Sequence, residues 1–141
     1  MKGCLLDVNL LIALAWPNHV QHALAQRWFQ QERTKGWGTC VVTQLAFVRL
    51  SSHPAVPHHV STPEAAQKLL EIVSLPDHSF WPEIPGGFRH EFFAQTRPNI
   101  LTHGFVTDGY LATLAAFHGG KLATFDRPLA RAFGEAVVLV A

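Results

Sequence analysis

The stretch KGCLLDVN, residues 2–9, decides the fold class of this chain. Its apolar run, from Gly3 to Leu6, is short, and it ends at the carboxylate of Asp7. That pattern is typical of a buried strand whose chain leaves the dry interior at its carboxyl end. In an α/β sheet, ligands bind in the crevice above the carboxyl ends of the strands. The stretch therefore predicts a strand of such a sheet, with an acidic residue at the ligand-binding edge.

Two further stretches repeat this arrangement. KLATFDRP, residues 121–128, carries Asp126 after an apolar run, and FVTDGYLATLAAFHGG, residues 105–120, carries Asp108 near a predicted strand-to-helix junction. Three carboxylates that converge at one edge repel one another at neutral pH unless protons or a hard cation neutralise them. Ligand sets made only of oxygen suit Mg²⁺ or Mn²⁺ rather than zinc. The pattern therefore predicts a divalent-metal site formed by these two aspartates and Asp7.

Apolar runs and turn residues predict strands that alternate with helices along the chain. The predicted strands are residues 3–6, 37–43, 78–83, 121–125 and 136–140, and the predicted helices are residues 8–16, 19–33, 44–50, 63–74, 88–96, 108–117 and 127–133. Thr43, Thr62 and Thr107 are the predicted caps of three of these helices. Such alternation predicts one α/β domain over residues 1–141, with a parallel sheet covered by helices on both faces.

Composition and charge exclude several classes of protein. The 11 Lys+Arg against 10 Asp+Glu leave a formal net charge of +1, so no global basic field indicates nucleic acid. The apolar start of the chain is interrupted by Asp7 and Asn9, which argues against both a signal peptide and a membrane span. Cys4 and Cys40 lie within apolar runs, as reduced thiols do. We expect a cytoplasmic protein, and we assign no metal role to any of the 9 His.

Three stretches carry a family resemblance: LLDVNLLIAL at residues 5–14, TQLAFVRL at residues 43–50 and VTDGYLATLAAFHGGKLATFD at residues 106–126. On these stretches the chain resembles a PIN domain and, among PIN domains, the VapC-type ribonuclease toxins of bacterial toxin–antitoxin pairs. The resemblance, with the length and element order, covers the chain nearly end to end. It implies a three-layer α/β/α domain with a central, mainly parallel sheet of four to five strands. It also implies a Mg²⁺- or Mn²⁺-dependent endoribonuclease.

The resemblance also assigns roles to individual positions. Asp7, Asp108 and Asp126 fall on the acidic positions of the family, and Asn9 falls on the polar position two residues after the first aspartate. The family usually has a glutamate near the start of the middle helix, where this chain has Gln44. An amide oxygen can bind an ion but carries no charge. The sequence therefore does not decide whether the site holds one metal ion or two.

The chemistry of phosphodiester cleavage suggests how these residues divide the work. We expect Asp7 and Asp108 to be direct metal ligands. Asp126 is expected to bind through water or to orient the attacking water as a base. Thr107 or Thr124 could hydrogen-bond a carboxylate or the phosphate.

Other interpretations remain open. Each aspartate taken singly could be a helix N-cap, although capping does not explain three acids predicted at one edge. A PIN-like protein without turnover could serve as an RNA-binding or protein-docking module, and a small phosphohydrolase is disfavoured because no glycine-rich phosphate loop is present. The resemblance implies RNA as substrate, a cognate antitoxin bound along a hydrophobic groove near the acidic site, and a homodimer. The large side chains considered for such contacts are Trp16, Trp28, Phe29, Trp37, Phe47 and Trp81.

Overall fold

The computed structural model describes residues 3–94 and 102–141, which form an α/β fold around a five-stranded sheet. The strands are β1 (Cys4–Leu6), β2 (Trp37–Thr39), β3 (His78–Phe80), β4 (Lys121–Thr124) and β5 (Val137–Leu139). Their order across the sheet is β3-β2-β1-β4-β5, and every neighbouring pair is parallel. The carboxyl ends of all five strands therefore lie at one edge, as the sequence predicts.

Six α-helices cover this sheet within the described residues. They are α1 (Val8–Ala15), α2 (His22–Glu32), α3 (Val41–Ser51), α4 (Thr62–Val73), α5 (Val106–Phe117) and α6 (Arg127–Phe133). None of the helices in residues 3–94 and 102–141 has the length and apolarity needed to cross a membrane.

The core is divided by the sheet into two apolar clusters. Successive side chains of a strand point to opposite faces, so Leu6 packs with residues of α1 to α4 while Leu5 packs with residues of α5 and α6. Phe47 of α3 and Leu111 of α5 are buried on opposite faces. Helices on both faces of a parallel sheet give three layers, which confirms the predicted α/β/α architecture.

Side-chain caps determine where three of the helices begin. Asp7 Oδ1 accepts from the backbone N–H of Val8 at 2.8 Å, and Asp126 Oδ1 accepts from that of Leu129 at 3.0 Å. Ser61 caps α4 by accepting from the N–H of Glu64. A cap satisfies a helical N–H that has no partner within the helix. The helices α1 and α6 thus begin at the carboxyl edge of the sheet, directly after two acidic residues.

Trp81 fixes the segment that follows β3. Its fully buried indole lies over Gly38 of β2, where an added Cβ would approach Trp81 Nε1 to 2.0 Å. The same ring lies over Gly120, where a Cβ would approach its Cη2 to 2.5 Å. Only glycine fits at these two positions. The indole therefore packs directly against the backbone of the sheet and fixes the position of the chain after β3.

The three predicted threonine caps are wrong. Ser61 rather than Thr62 caps α4, and Cys40 occupies the cap position of α3. Thr43 lies in the first turn of α3, where its hydroxyl accepts from the Cys40 N–H at 3.0 Å. Thr107 lies inside α5, which begins one residue earlier without a side-chain cap. Thr62 is itself the first residue of α4, and α3 and α5 begin before Thr43 and Thr107, at Val41 and Val106.

Two other expectations also differ from the structure. The helix predicted over residues 88–96 is replaced by 3₁₀ turns at Gly87–Arg89 and Glu91–Ala94, and residues 95 and 96 lie outside the described residues. Glycine with positive φ at 86 and 87 interrupts the helical pattern there. The aromatic side chains considered for partner contacts are mostly core: Phe29, Trp37, Phe47 and Trp81 are buried.

Candidate active site

Asp7 is the most buried of the three aspartates, with 4% of its surface exposed. It follows β1, and its backbone N–H donates to the carbonyl of Ala123 in β4 at 2.9 Å. Thr124 donates its hydroxyl proton to Asp7 Oδ2 at 2.7 Å, while Asp7 Oδ1 accepts from the Val8 N–H. Both carboxylate oxygens are therefore held in one orientation by neighbouring elements.

The Thr124 hydroxyl links Asp7 to the other polar residues at this edge. Its oxygen accepts from the side-chain amide of Asn9 at 3.2 Å and from the backbone N–H of Asp126 at 3.1 Å. The Asn9 carbonyl oxygen accepts from the N–H of Phe125 at 3.5 Å. Thr124 itself is fully buried. The ends of β1 and β4 thus form one hydrogen-bonded unit that carries Asp7 and Asp126.

Asp108 approaches the same edge of the sheet from α5. It is the third residue of that helix, and a 3₁₀ turn at His103–Phe105 rather than a strand precedes the helix, which corrects the predicted strand-to-helix junction. Burial, together with the negative charges of Asp7 and Asp126, raises the pKa of its carboxyl to about 6. Charge effects between carboxylates require that the groups lie near one another, so the contributions of Asp7 and Asp126 place both of them near Asp108. The structure thus brings the three predicted aspartates together.

Asp7 responds to the same surroundings. Burial raises the pKa of its carboxyl, the hydrogen bonds from Thr124 and Val8 oppose that rise, and the charge of Asp126 adds to it. Burial is the first cause of both raised pKa values, and the negative charges of neighbouring acids add to it, so a cation bound here would lower both. No salt bridge to Asp7, Asp108 or Asp126 occurs within residues 3–94 and 102–141.

The donor set fits a hard divalent cation only in part. No three His, Cys, Asp or Glu side chains in the described part of the chain lie close enough to form a ready-made metal cage. Mg²⁺ is usually bound through one or two carboxylates, with waters and substrate phosphate oxygens completing its shell. Asp7 and Asp108 match this ligand set, because both offer carboxylate oxygens. A cation would also relieve the repulsion between their negative charges.

Gln44 has a hydrogen-bond partner that the sequence does not indicate. Its amide Nε2 donates to Thr39 Oγ1 at 2.9 Å, at the carboxyl end of β2. The Thr39 oxygen also lies 2.8 Å from His78 Nε2, and burial lowers the pKa of that imidazole. A neutral His78 accepts the Thr39 proton, which leaves the Thr39 oxygen free to accept from Gln44. No hydrogen bond joins Gln44 to Asp7, Asp108 or Asp126 within the described residues.

Thr107 takes no part in the hydrogen-bonded unit of Thr124. It is exposed, and it lines a neighbouring cleft together with Glu83 and Tyr110. Glu83, Tyr110 and Thr39 are not among the residues predicted from the sequence. Thr39 is the last residue of β2, and Glu83 follows β3 by three residues. A polar residue near the end of each strand was therefore the signal that could have identified them.

An all-parallel α/β sheet that gathers three aspartates above the ends of its two central strands defines a PIN-type domain. No protein-family model matches the chain. Among curated proteins it is 45% identical to ribonuclease VapC39 of Mycobacterium tuberculosis, across 96% of this chain and 97% of that protein. It is 37% identical to ribonuclease VapC38 of the same organism, across 86% and 84% of the two chains.

A solved structure of a VapBC complex has the same fold as this chain. The crystal structure of VapBC2 from Rickettsia felis bound to a DNA fragment from its promoter superposes with a TM-score of 0.68. That alignment covers 99% of this chain and 97% of the other, at 12% identity, so it supports the fold alone. The chain belongs to the VapC family of ribonucleases, the PIN-domain toxins of toxin–antitoxin pairs.

Proposed function

We propose that this protein is a divalent-metal-dependent endoribonuclease, the toxin of a type II toxin–antitoxin pair, that hydrolyses RNA phosphodiesters at Asp7, Asp108 and Asp126. The observation that carries this proposal is the raised pKa of Asp108, about 6, which burial produces together with the negative charges of Asp7 and Asp126. Membership of the VapC family supplies the ribonuclease activity. The charge effect supports metal dependence, because converging acids need a cation at neutral pH.

Each residue of the site has a distinct task in this mechanism. When bound, Mg²⁺ or Mn²⁺ supplies positive charge that polarises a phosphate oxygen and makes a nearby water more acidic. Asp7 and Asp108 hold the ion, and Thr124 keeps Asp7 Oδ2 in one orientation through its 2.7 Å hydrogen bond. Asp126 uses one oxygen as a cap, so its other oxygen can orient the attacking water and accept its proton. Asn9 supports Thr124, and the amino terminus of α5 favours the phosphate.

Cleavage of a purified RNA tests this proposal. We expect wild-type protein to cut RNA with Mg²⁺ or Mn²⁺ and to stop when EDTA removes the ion. Isothermal titration of Mn²⁺ into the protein without RNA provides a readout that is independent of turnover. Cleavage that continues unchanged in EDTA would contradict metal dependence, although it would leave the ribonuclease family assignment intact.

A second candidate function is RNA binding or protein docking without turnover. Gln44 favours it, because its neutral amide replaces a family carboxylate and donates to Thr39. Such a protein would bind RNA in the presence of Mn²⁺ but leave its length unchanged. Gel analysis of end-labelled RNA after incubation with Mn²⁺ separates the two functions.

We further propose that a cognate antitoxin silences the enzyme by occupying an apolar groove of about 390 Å³. The groove lies at the ends of α1 and α3 distant from Asp7, and its apolar lining is Ile12, Trp16, Val20, Leu50, Val56 and Pro57. Val20 is 93% exposed, which suits a residue that a partner covers. A Val20→Asp variant should keep RNA cleavage but lose inhibition by the antitoxin.

We also propose that the protein is a single-domain cytoplasmic homodimer. Cys4 and Cys40 are free thiols, as is usual in the cytoplasm. Leu45 on α3 is 63% exposed. An exposed apolar side chain on a helix suits a contact between subunits. Light scattering should give twice the mass of the chain, and Leu45→Glu should lower it to that of one chain. A monomeric wild-type protein would contradict the homodimer without touching the enzymatic proposal.

A further inference from the structure

A cleft of about 350 Å³ opens at the carboxyl edge of the sheet, beside the acidic site. Asp7 and Asp126 follow β1 and β4, whereas Val41, Val42 and Glu83 of the cleft follow the adjoining strands β2 and β3. Its lining comes from the start of α3, the segment after β3 and the start of α5: Val41, Val42, Glu83, Phe88, Val106, Thr107 and Tyr110. Thr107 immediately precedes Asp108, so the cleft adjoins the acidic site.

One carboxylate in the cleft has an oxygen without a donor. Tyr110 donates its hydroxyl proton to Glu83 Oε2, and the same hydroxyl accepts from the Ile84 N–H at 3.3 Å. Glu83 Oε1 is buried and has no hydrogen-bond partner within the described residues. A buried polar atom left without a partner is costly, and almost all such atoms in folded proteins are paired. A ligand with an N–H group would provide the missing donor.

The segment that carries Glu83 is held firmly from both sides. His118 Nε2 donates to the carbonyl of Pro82 at 2.6 Å, and the Ile84 N–H donates to Tyr110. Trp81 is fully buried against the sheet. Because its neighbours are fixed, Glu83 cannot leave the cleft by a shift of its backbone. The position of the Glu83 carboxylate in the cleft is therefore fixed by the surrounding structure.

The walls of the cleft select the kind of ligand. Phe88, Val41 and Val106 are 48%, 42% and 40% exposed, so the cleft presents apolar and aromatic surface to solvent. Flat heteroaromatic rings stack on such surface. The negative charge of Glu83 repels a phosphate, so the ligand group is not the backbone of a nucleic acid. A nucleobase has both the flat ring and the N–H donors.

We propose that this cleft is a nucleobase subsite, in which Glu83 accepts a hydrogen bond from the exocyclic amino group of an RNA base close to the scissile phosphate. The inference rests on the proposed ribonuclease function. Cytosine, adenine and guanine carry such an amino group, and carboxylates accept from it in nucleic-acid complexes. Uracil offers only an N–H between two carbonyl oxygens, which the carboxylate repels. The subsite therefore discriminates against uracil.

Binding of oligonucleotides to an uncleaving protein tests the subsite directly. We would measure fluorescence anisotropy of labelled C, A and U hexamers with the Asp7→Asn protein and Mg²⁺. The expected result is binding of the C and A hexamers about tenfold tighter than the U hexamer, which is the effect of one hydrogen bond to a charged group. Adding Glu83→Gln should remove most of this difference, because the amide loses the charge and gains a donor for uracil carbonyls.

Two further variants make the result specific. Glu135→Gln removes an exposed carboxylate that precedes β5, at the opposite edge of the sheet, and should leave the preference unchanged. Val41→Trp enlarges an exposed side chain into the cleft while keeping Glu83, and should abolish the preference even if Glu83→Gln fails to fold. A preference that survives in a folded Val41→Trp or Glu83→Gln protein overturns the proposal.

The outcomes also separate this inference from the proposed function. If wild-type protein does not cut RNA but the Asp7→Asn protein prefers C and A, the nuclease function fails and the subsite stands. If the three hexamers bind equally while wild-type protein cuts RNA, the subsite fails and the nuclease function stands. Equal binding combined with loss of antitoxin inhibition in Glu83→Gln assigns the cleft to a protein partner, which also overturns the proposal.

Discussion

Thr124 donates to Asp7 Oδ2 across 2.7 Å, and this bond joins residues that are 117 positions apart in the chain. It is buried, and it lies where the two central strands of the sheet end. A buried hydroxyl that holds a carboxylate fixes which oxygen lone pairs remain available to a ligand. The orientation of the Asp7 carboxylate thus depends on a residue that is distant in the chain.

Replacing Thr124 with Val tests this dependence. The variant keeps the shape of the side chain but leaves Asp7, Asn9 and the Asp126 N–H without their shared partner. We expect a loss of about 1–3 kcal/mol in the free energy of unfolding. Cleavage should fall by roughly 10–100-fold, the usual cost of losing a group that orients a metal ligand. Chemical denaturation and a kinetic assay measure the two effects.

A second buried threonine provides the control for that variant. Thr113 lies in α5, where its hydroxyl donates to the Gly109 carbonyl at 2.7 Å. Thr113→Val should destabilise the protein comparably but leave cleavage near the wild-type rate. Equal loss of activity in both variants would show that Thr124 acts through stability alone.

Asp7→Asn and Asp108→Asn should each lower RNA cleavage by more than about a hundredfold while the protein stays folded. The amide keeps the volume of the carboxylate and removes the charge that binds the ion. The Tm of the metal-free variants should be equal to or above that of wild type, because both carboxyl pKa values are raised in the folded protein. Gel assays and thermal denaturation provide the measurements.

Asp77→Asn is the matched control. Asp77 is exposed in a turn and has a φ of 71°, a conformation that asparagine also tolerates. Its activity should equal that of wild type. If Asp7→Asn and Asp108→Asn unfold while Asp77→Asn does not, the two aspartates are structural and the catalytic assignment loses its support.

The stability of the metal-free protein should fall as the pH rises through the titration of Asp108. The pKa of this carboxyl is raised from 3.8 to about 6 in the folded state, so the folded protein binds its proton more tightly than the unfolded chain. Its contribution to stability is complete below the unfolded pKa and is lost as the pH rises through about 6. Urea denaturation in EDTA between about pH 4 and pH 7 should show a shallower decline for Asp108→Asn. Parallel curves for the two proteins would contradict the shift.

Gln44→Glu should strengthen divalent-metal binding if residue 44 reaches the acidic site. A carboxylate binds a hard cation more tightly than a neutral amide, and site affinity rises with ligand charge. Cleavage should saturate at a lower Mn²⁺ concentration than in wild type. The apo protein should be less stable at neutral pH, because a fourth acid adds repulsion and the Thr39 hydroxyl must now donate to residue 44 instead of His78.

Gln67→Glu adds the same charge to an exposed position on α4, away from the carboxyl edge. Its metal titration should coincide with that of wild type. Superimposable titrations for Gln44→Glu and wild type would place residue 44 outside the metal site and would contradict its alignment with the family glutamate.

The fold was largely predictable because its signals are local. The run before Asp7 ends where the strand ends, and all five predicted strands occur in one parallel sheet. Helix starts were less predictable, since Ser61 and Thr62 are both good caps and only the path of the chain selects one. The 3₁₀ turns at residues 87–94 follow from left-handed glycines whose conformation the pattern of apolar residues does not encode.

The aspartates of the acidic site were predictable from the sequence, but the hydrogen bonds that position them were less predictable. The charges of Asp7 and Asp126 act on Asp108, as predicted, although a 3₁₀ turn rather than a strand precedes the helix that carries Asp108. The bonds that Thr124 makes to Asp7 and Asn9, and that Thr39 makes to Gln44, span strand neighbours that are distant in sequence. Spacing along a chain does not report such pairs, because sheet order rather than sequence order brings them together.

The central position of β1, between β2 and β4, has a consequence for the cell that makes this protein. A ribosome releases the chain from its amino terminus, and β1 must wait for β4 before its second edge is paired. Asp7 is therefore translated early but gains its hydrogen bond from Thr124 only after β4 has emerged. Nascent chains that stop before β4 lack both Thr124 and Asp126, so we expect truncated products of this gene to be inactive.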